Sequence, residues 1–515
     1  MNGAEAFIET LKTCGVEVCF ANPGTSEMQL VAAIDQQDGM RAVLGLFEGV
    51  VTGAADGYGR MADKPAVTLL HLGPGLGNGL ANLHNARRAG TPLINMVGDH
   101  ATYHLHFDAP LTSDVMSVAK PMSDWVRVSR SERDLAQAGA EAFATAMSFP
   151  GKIATVIVPA DHAWTPGAAS VEAPQPHAPA QTPTATIKAA AEALGSATGE
   201  ACLFLGGRAL REESLEIAGR IAAATGARLV CETFPARLQR GTGRVPLEKL
   251  PYFGEQALEY LSTFSTIVTC GTEPPVAFFA YPDKPSWLVP DEARLIRLAS
   301  LREDAHTALS RLANSLDAPA EPAKYQQREI LPADPGKLTT RSIGAILSEL
   351  IPEDAIISDE SATAGLAIYG MTAGAERHDW LTLTGGAIGQ GMPLAIGAAI
   401  ACSDRKVLSL QADGSGMYTN QALWTMAREN LDVTTIIFNN GSYAILNVEL
   451  QRVGVQNPGP KALSMLDLTR PEINWSQISE GMGVPAVRAT TSDEFRTALL
   501  DALAAKGPRL IEAIL

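Results

Sequence analysis

The sequence predicts an α/β protein made of three consecutive doubly wound parallel-sheet domains. Apolar runs of strand length alternate with alanine- and glycine-rich helical stretches, the pattern of βαβ units whose sheet is buried on both faces. Two segments rich in proline and small polar residues, residues 166–184 and 317–336, are predicted linkers. With 515 residues, the chain is also too long for a single core. We therefore expect domains at residues 1–165, 185–316 and 337–515.

Each predicted domain repeats the alternation. In the first, strand-like runs at residues 16–21, 66–70, 92–97 and 152–158 surround a helical stretch at residues 49–62. In the middle domain the apolar runs are ACLFLGG, ARLVCET and STIVTCG, with helical stretches between them. In the third they are AIIS, KVLSLQA, TTIIF and RLIEAIL. Parallel strands joined by crossover helices explain all three patterns.

Charge and cysteine content narrow the classes of function. The chain has 40 basic and 56 acidic residues, a net charge of −16, and no basic stretch that could neutralise a nucleic-acid backbone. Its six cysteines are scattered, without metal-ligand spacing, which predicts a reduced cytoplasmic protein. The N-terminus MNGAEAFIETL is acidic where a signal peptide is basic, and no apolar run reaches spanning length. We expect neither nucleic acid nor a membrane as a partner.

A glycine-rich turn, LHLGPGLGNG at residues 70–79, follows a strand and could open a dinucleotide-binding helix. However, no acidic residue ends a strand about twenty positions later, where a ribose would be bound. The same glycines would let any flat ring or phosphate approach the backbone closely. A second glycine-rich run, GGAIGQGMP at residues 385–393, allows the same two interpretations.

Two strand ends in the third domain carry oxygen ligands. KVLSLQADG ends in Asp413, and after one crossover helix VTTIIFNNG ends in Asn440. Taken singly, Asp-Gly and Asn-Gly are common turns. In a parallel sheet, however, both ends fall on the carboxyl edge, where open α/β sheets bind ligands. One carboxylate leaves Mg²⁺ in need of anionic ligands, and a diphosphate would supply them.

Along its whole length the chain resembles thiamine diphosphate enzymes of the acetolactate synthase and benzoylformate decarboxylase superfamily. The resemblance implies a pyrimidine-binding domain, a central domain and a diphosphate-binding domain, in that order. It implies that Asp413, Asn440 and Ser442 bind Mg²⁺. Ala412 stands where the motif's first glycine usually stands, which changes a neighbour of the site but removes no ligand.

Further cofactor contacts follow from the same resemblance. Gly414 and Ser415 would face the diphosphate, and Gly386 would lie near the aminopyrimidine. Ile388 would be the apolar wedge that bends the cofactor, although it could also be an ordinary core residue. The remaining residues that the resemblance assigns to cofactor binding are Glu360 and Ser361.

The second half of the signature is Glu48, in LGLFEGVVTGAADGYGR. By resemblance, its carboxyl binds the pyrimidine N1′ and promotes loss of the thiazolium C2 proton. An isolated glutamate at a helix start would ordinarily be read as a capping residue. In the family two chains complete each site, so a homodimer or homotetramer is implied.

Residues near the substrate are less clearly indicated. His71 matches a histidine that benzoylformate decarboxylase uses as proton donor and acceptor, although a histidine beside glycines is often structural. Thr25, in NPGTSE, stands where that enzyme has an active-site serine. Where that decarboxylase has a second histidine, in the middle domain, this chain has Phe279 or its neighbours.

A replacement for that histidine could come from the loop GDHATYHLHFDAP, which carries His100, His104 and His106. These side chains could instead only cap a surface loop. Acetolactate synthases bind a structural FAD, but no feature of this shorter middle domain requires one.

Three functions therefore remain open. His71 and the apolar Phe278 and Phe279 favour non-oxidative decarboxylation of an aromatic or branched 2-oxo acid to an aldehyde. The missing second histidine favours a carboligase of the acetolactate synthase type, which would form a 2-hydroxy ketone or 2-hydroxy acid. A non-catalytic cofactor-binding homologue is disfavoured, since Glu48, Asp413 and Asn440 are all present.

Overall fold

A computed structural model describes residues 1–197 and 199–515. It confirms the predicted fold class, because three separate parallel sheets follow one another along the chain. Their central strands are fully or largely buried and are flanked by helices on both faces, as expected for doubly wound sheets. Within these residues no helix combines the length and apolar character needed to cross a bilayer.

The first sheet has six strands in the order β2-β1-β3-β4-β6-β5, all parallel. The strands are β1 Val18–Asn22, β2 Arg41–Leu44, β3 Ala66–Leu70, β4 Leu93–Asp99, β5 Trp125–Val128 and β6 Ile153–Pro159. The helices are α1 Gly3–Thr13, α2 Met28–Asp35, α3 Glu48–Ala62, α4 Leu72–Ala89, α5 Val115–Ala119, α6 Glu132–Ala146 and α7 Ala160–Trp164. Short 3₁₀ turns lie at Thr25–Glu27, Leu105–Phe107 and Lys120–Met122.

The middle sheet has the order β10-β8-β7-β11-β12 and is also parallel. Its strands are β7 Glu200–Leu205, β8 Arg228–Cys231, β10 Glu248–Lys249, β11 Phe264–Cys270 and β12 Arg294–Ala299. The helices are α8 Thr184–Gly195, α9 Glu212–Thr225, α10 Gly254–Leu261 and α11 Ala305–Ser315, with a 3₁₀ turn at Gly207–Leu210.

The third sheet has the order β17-β18-β16-β15-β13-β14-β9. Its own strands are β13 Ala355–Glu360, β14 His378–Thr382, β15 Val407–Ala412, β16 Val433–Asn439, β17 Ala486–Ala489 and β18 Arg509–Ile514. The longer helices are α12 Thr340–Leu350, α13 Gly365–Met371, α14 Gly391–Ala401, α16 Ala422–Arg428, α17 Ala444–Arg452, α19 Trp475–Gly481 and α20 Ser492–Ala504. Two shorter ones are α15 Asp413–Gly416 and α18 Pro460–Ser464.

One strand departs from the strictly domain-by-domain pattern. Strand β9, Leu238–Arg240, follows β8 along the chain but joins the edge of the third sheet, where it runs antiparallel to β14. Arg240 is buried there and places its guanidinium 3.9 Å from the centre of the Tyr369 ring. The middle domain therefore closes the open edge of the third sheet, which would otherwise expose unpaired backbone groups.

The first and third domains meet through α3 and α14. These helices approach so closely that a Cβ on Gly57 would lie 2.0 Å from the Leu394 carbonyl oxygen. A Cβ on Gly397 would lie 1.9 Å from the Ala54 carbonyl oxygen. Glycine is therefore required at both positions for the backbones to touch. This packing places the loop before α14 beside the helix that begins at Glu48.

Candidate active site

Glu48 is the first residue of α3, and a short loop connects it to the end of β2. Its side chain is buried, with the residue 5% exposed, and its Oε2 accepts a hydrogen bond of 2.9 Å from Asn78 Nδ2. The first turn of α3 has unpaired N–H groups, and Phe47 provides no side-chain cap. The positive end of the α3 helix dipole therefore lies beside the Glu48 side chain.

His71 stands between β3 and α4 and is paired with a carboxylate that the sequence analysis did not single out. Its Nδ1 lies 2.8 Å from Glu27 Oε2, and Glu27 is completely buried. The same carboxylate accepts bonds from Gly24 N at 2.7 Å and Ser26 Oγ at 2.6 Å. The Glu27 carboxylate thus fixes which imidazole nitrogen faces it, and leaves Nε2 of His71 free of that contact.

The structure brings Glu48 and His71 to one place. A Cβ on Gly75 would lie 3.0 Å from Glu48 Oε1 and 3.2 Å from the His71 Cβ. Gly24 also lies against the histidine ring, since a Cβ on Gly24 would lie 2.1 Å from His71 Nδ1. Thr25 follows Gly24 in the same turn and is exposed. Three of the predicted residues therefore share one edge of the first sheet.

Asp413 and Asn440 follow neighbouring parallel strands, β15 and β16, as the sequence pattern predicts. Asp413 is buried, and its two oxygens accept bonds from Gly414 N and Gly441 N, each 2.8 Å long. Asn440 is exposed, and its Oδ1 accepts a 3.0 Å bond from Ser442 N. Burial raises the pKa of Asp413 above its ordinary value.

The chemistry of these donors fits Mg²⁺. Asp413, Asn440 and the Ser442 carbonyl offer a carboxylate, a carboxamide and a backbone oxygen, all hard ligands on one short stretch of sheet edge. A cation would also offset the cost of keeping the buried Asp413 carboxylate charged. The set carries a single negative charge, so an anionic partner for the metal is still needed.

Gly414 and Ser415 lie in the short helix α15 beside this set. A Cβ on Gly414 would lie 2.5 Å from Tyr443 Cε1, so only glycine fits against that ring. The Ser415 hydroxyl accepts a 2.6 Å bond from Gln411 Nε2 and donates a 3.2 Å bond to the Ala412 carbonyl. Since the hydroxyl and the Gly414 N–H are already engaged, the other backbone amides of α15 are the groups that could contact a phosphate.

The loop that carries Gly386 and Ile388 is held by side chains from two domains. His84 contacts the Gly385 carbonyl at 3.0 Å, and Asn85 bonds both the carbonyl and the N–H of Ala387. His84 and Asn85 both belong to α4 of the first domain. Ile388 itself is partly exposed, which leaves its side chain available to a bound molecule.

Glu360 supports this loop from the third domain. Its two carboxylate oxygens accept bonds from Gly389 N at 2.6 Å and Gly391 N at 2.5 Å, and the residue is 3% exposed. Burial raises the pKa of Glu360 to about 7. Ser361 uses both its N–H and its hydroxyl on Asp359. The geometry therefore gives Glu360 a supporting contact with the loop, and a direct cofactor contact by Glu360 or Ser361 stays a prediction.

Aromatic side chains of the middle domain stand over the same loop. The ring of Phe278 lies so near Gly386 that a Cβ there would be 2.7 Å from Phe278 Cζ. Phe278 also contacts Phe234 and Tyr252, with ring centres 5.5 and 5.6 Å apart. Phe278 and Phe279 are 43% and 54% exposed, so their apolar faces remain accessible.

The histidine-rich loop forms a cluster of tilted aromatic rings after β4. The ring centres of His100 and His104 are 5.3 Å apart, and His106 lies 3.8 Å from Phe107. His100 Nε2 is buried and has no hydrogen-bond partner among the described residues. Burial raises the pKa of Asp99, whose carboxylate accepts a bond from the His100 N–H. Glu27 lies at the same carboxyl edge of the sheet as this cluster. Its Oε1 would be only 1.8 Å from a Cβ on Gly98, which is near the end of β4.

The predicted residues thus form two groups, one on the first domain and one on the third. Among the described residues, no hydrogen bond or ion pair joins Glu48 or His71 to Asp413 or Asn440. Glu27 and Asn78 were not predicted from the sequence. The run NPGTSE did contain a signal for Glu27, because a glutamate three residues after Gly24 can bond that turn's N–H.

Two family descriptions match this chain. The thiamine pyrophosphate enzyme N-terminal TPP binding domain matches residues 1–120. The thiamine pyrophosphate enzyme C-terminal TPP binding domain matches residues 365–513. The first match contains Glu48 and His71, and the second contains Asp413 and Asn440.

Individual relatives extend the likeness over the whole chain. An acetolactate synthase-like large subunit, IlvX, of Mycobacterium tuberculosis is 52% identical, covering 100% of this chain and 99% of that protein. Benzoylformate decarboxylase of Pseudomonas aeruginosa is 29% identical, covering 98% and 97%. The solved thiamine diphosphate-dependent 4-hydroxybenzoylformate decarboxylase of Rhodococcus jostii superposes with a TM-score of 0.86 at 26% identity, over 100% and 99% of the two chains. This chain therefore belongs to the thiamine pyrophosphate enzymes.

Proposed function

We propose that the protein is a thiamine diphosphate- and Mg²⁺-dependent decarboxylase that converts a 2-oxo acid to an aldehyde without oxidation. The observation that carries the proposal is the pairing of His71 with the buried Glu27 beside Glu48, with 2.8 Å between His71 Nδ1 and Glu27 Oε2. Two relatives whose names state a decarboxylase of benzoylformate or 4-hydroxybenzoylformate support it.

The cofactor would be bound by residues of both domains. Asp413, Asn440 and Ser442 would hold Mg²⁺ and, through it, the diphosphate. Glu48 would hydrogen-bond N1′ of the aminopyrimidine, and Ile388 would support the bent cofactor. When bound, thiamine diphosphate would supply a nucleophilic C2 for the substrate carbonyl and a positively charged thiazolium ring that can accept the electron pair released when CO₂ leaves.

Proton transfer to the product carbon is the task assigned to His71. Glu27 fixes the ring through Nδ1, so Nε2 is the nitrogen that can hold and deliver a proton. Burial of the Glu27 carboxylate strengthens that interaction, since little water screens it. Thr25, exposed in the adjacent turn, would offer a hydroxyl to the substrate carboxylate.

The exposed aromatic faces of Phe278 and Phe279 support a 2-oxo acid with an aromatic or branched side chain. They lie at the loop that carries Gly386, where an apolar substituent would be removed from water. A short substrate such as pyruvate would leave these faces uncovered.

A carboligase is the second candidate, and one observation favours it. Phenylalanines occupy the region of the middle domain where benzoylformate decarboxylase has a second histidine, so one proton donor of that enzyme is missing. A bound acyl carbon that is not protonated could add to a second carbonyl compound. The relative named as acetolactate synthase-like supports this alternative.

We further propose that a second copy of the chain completes the site. Large apolar side chains are exposed beside both groups of residues: Tyr103 and Phe107 in the first domain are 63% and 66% exposed, and Tyr418 and Met465 in the third are 54% and 73% exposed. Patches of this kind usually mark interfaces. A homodimer, alone or doubled into a tetramer, would cover them and join Glu48 of one chain to Asp413 of its partner.

The test is an incubation of the purified protein with thiamine diphosphate, Mg²⁺ and a panel of 2-oxo acids, with CO₂ measured and products identified by mass spectrometry. Decarboxylation predicts equal amounts of CO₂ and aldehyde from benzoylformate or a branched 2-oxo acid. CO₂ with a 2-hydroxy ketone or 2-hydroxy acid would establish the carboligase instead. No CO₂ from any 2-oxo acid would contradict both.

A further inference from the structure

Asn82 occupies an unusual position between the two groups of active-site residues. It lies in the middle of α4, is 2% exposed, and carries no charge. Its Nδ2 donates a 2.7 Å bond to the carbonyl of Gly49, the residue after Glu48. The same nitrogen donates a 3.1 Å bond to the carbonyl of Gly389, the residue after Ile388. One carboxamide thus contacts the backbone next to both the proposed catalytic glutamate and the proposed wedge.

The orientation of this carboxamide follows from its partners. Both backbone groups are acceptors, so only the NH₂ end of Asn82 can face them. The oxygen end accepts a 2.9 Å bond from Asn85 Nδ2, which also donates 2.7 Å to the Ala387 carbonyl. Each of the two Asn82 hydrogens and its oxygen therefore has a partner, and the arrangement admits a single geometry.

The surrounding backbone is shaped to admit Asn82. A Cβ on Gly53 would lie 2.9 Å from Asn82 Nδ2 and 2.6 Å from the Pro393 Cβ. A larger residue at this position of α3 would push the carboxamide away from both carbonyls. The Gly389 carbonyl also accepts a 2.9 Å bond from Thr419 Oγ1. Side chains of the first and third domains therefore both bond this loop.

We propose that Asn82 is a positioning residue for the reaction, which sets Glu48 and the Ile388 loop at a fixed separation. This inference rests on the proposed function, in which Glu48 and Ile388 both contact thiamine diphosphate. In the proposed dimer these two residues of one chain serve different sites, so each Asn82 contacts the backbone of both. Displacing a catalytic group by about 1 Å can slow a reaction a hundredfold, and loss of this contact frees both segments to move.

The experiment uses full-length Asn82→Ala protein with thiamine diphosphate and Mg²⁺. Proton–deuterium exchange at C2 of the bound cofactor is followed by NMR, and cofactor affinity is measured by calorimetry. We expect exchange to slow by about tenfold or more, and kcat to fall with KM unchanged, while the cofactor still binds. Asn82→Ser retains one donor hydrogen and should give an intermediate exchange rate, which provides a test if the alanine variant does not fold.

Asn95→Ala is the matched control. Asn95 is another fully buried asparagine of the first domain, and its side chain bonds Thr68 and Thr155 rather than the backbone of either loop. The Asn95→Ala variant should be less stable than the wild type but should retain the wild-type rate of C2 exchange. Wild-type exchange in both Asn82 variants, or equal slowing in Asn95→Ala, would overturn the positioning role. Glu48→Gln serves as the reference: if it exchanges at the wild-type rate, the proposed function fails, whatever Asn82 does.

Discussion

Glu27 shows how one buried side chain can set the chemistry of another. Its carboxylate accepts three bonds, from Gly24 N, Ser26 Oγ and His71 Nδ1. Glu27→Gln would put a donor where an acceptor is needed and remove the negative charge beside His71 Nδ1. We expect aldehyde formation to slow by about tenfold to a hundredfold, measured as kcat. Ser26→Ala removes a bond to the same carboxylate but keeps its charge, so its kcat should stay close to wild type. Equal rates in all three proteins would contradict the pairing role.

The raised pKa of Glu360 predicts how the stability of the protein depends on pH. Its pKa is raised to about 7 in the folded protein, mainly by burial, against 4.5 in an unfolded chain. The folded state therefore holds a proton that the unfolded state releases, and the stability gained is lost as the pH rises through about 7. The contact with Gln411 and the backbone N–H bonds lower the pKa of Glu360, but the effect of burial is larger.

In the protein without cofactor, Glu360 should lower the unfolding free energy by about 2 kcal/mol between pH 5.5 and pH 8. We expect the unfolding free energy of the wild type to fall over this range, and the fall to be smaller by that amount in Glu360→Gln. Urea unfolding at several pH values measures the difference. Glu232, whose pKa burial also raises to about 7, should add a similar slope that the Glu360 variant retains. Identical pH dependence in wild type and variant would show that Glu360 is ionised in the folded protein.

At the residue scale, the sequence predicted those groups whose spacing is tied to strand ends. Asp413 and Asn440 were found because they follow adjacent strands of one parallel sheet. Glu27 and Asn82 were missed because their roles depend on contacts with residues 44 and 307 positions away. No local pattern encodes such a distance in the chain, so only the folded structure reveals the pairing.

At the scale of elements, the loop before α14 is the most constrained segment of the site. Gly386 has a φ of +72°, a conformation that favours glycine, and Phe278 covers it. Gly386→Ala would therefore strain the backbone and push the loop away from the aromatic ring. We expect thiamine diphosphate to bind about tenfold more weakly, as measured by calorimetry. Gly370→Ala, at an exposed helical position where a Cβ meets no other atom, should bind the cofactor normally. Normal binding in Gly386→Ala would mean that this loop does not contact the cofactor.

Strands were predictable at this scale because both faces of a parallel sheet are buried, which makes the apolar runs continuous. The run at residues 66–70 matches β3 residue for residue. Strand β9 was not predictable, because three residues are too short to give a periodic pattern. Its place at the edge of the third sheet depends on the pairing of Leu238 with Trp380, far along the chain.

At the scale of the whole molecule, the two groups of active-site residues lie on different domains, and both are bordered by exposed apolar side chains. In the proposed dimer each site takes Glu48 from one chain and Asp413 from the other. A dimer made of one Glu48→Gln chain and one Asp413→Asn chain then contains one site with both changes and one site with neither. This arrangement gives a measurable result that sites confined to one chain could not give.

We therefore expect complementation between two inactive variants. Glu48→Gln and Asp413→Asn chains, coexpressed with different tags and purified through both, should have about half of wild-type activity per dimer, although each variant alone is inactive. The control pairs Glu48→Gln with His71→Ala. Both of these changes fall on the first-domain group, so every site of that heterodimer carries one of them, and activity should not return. If the first pair is as inactive as the control, each chain uses its own Glu48 and Asp413, and the shared-site arrangement is wrong. Recovery only in the first pair requires that residues of two chains meet at one cofactor.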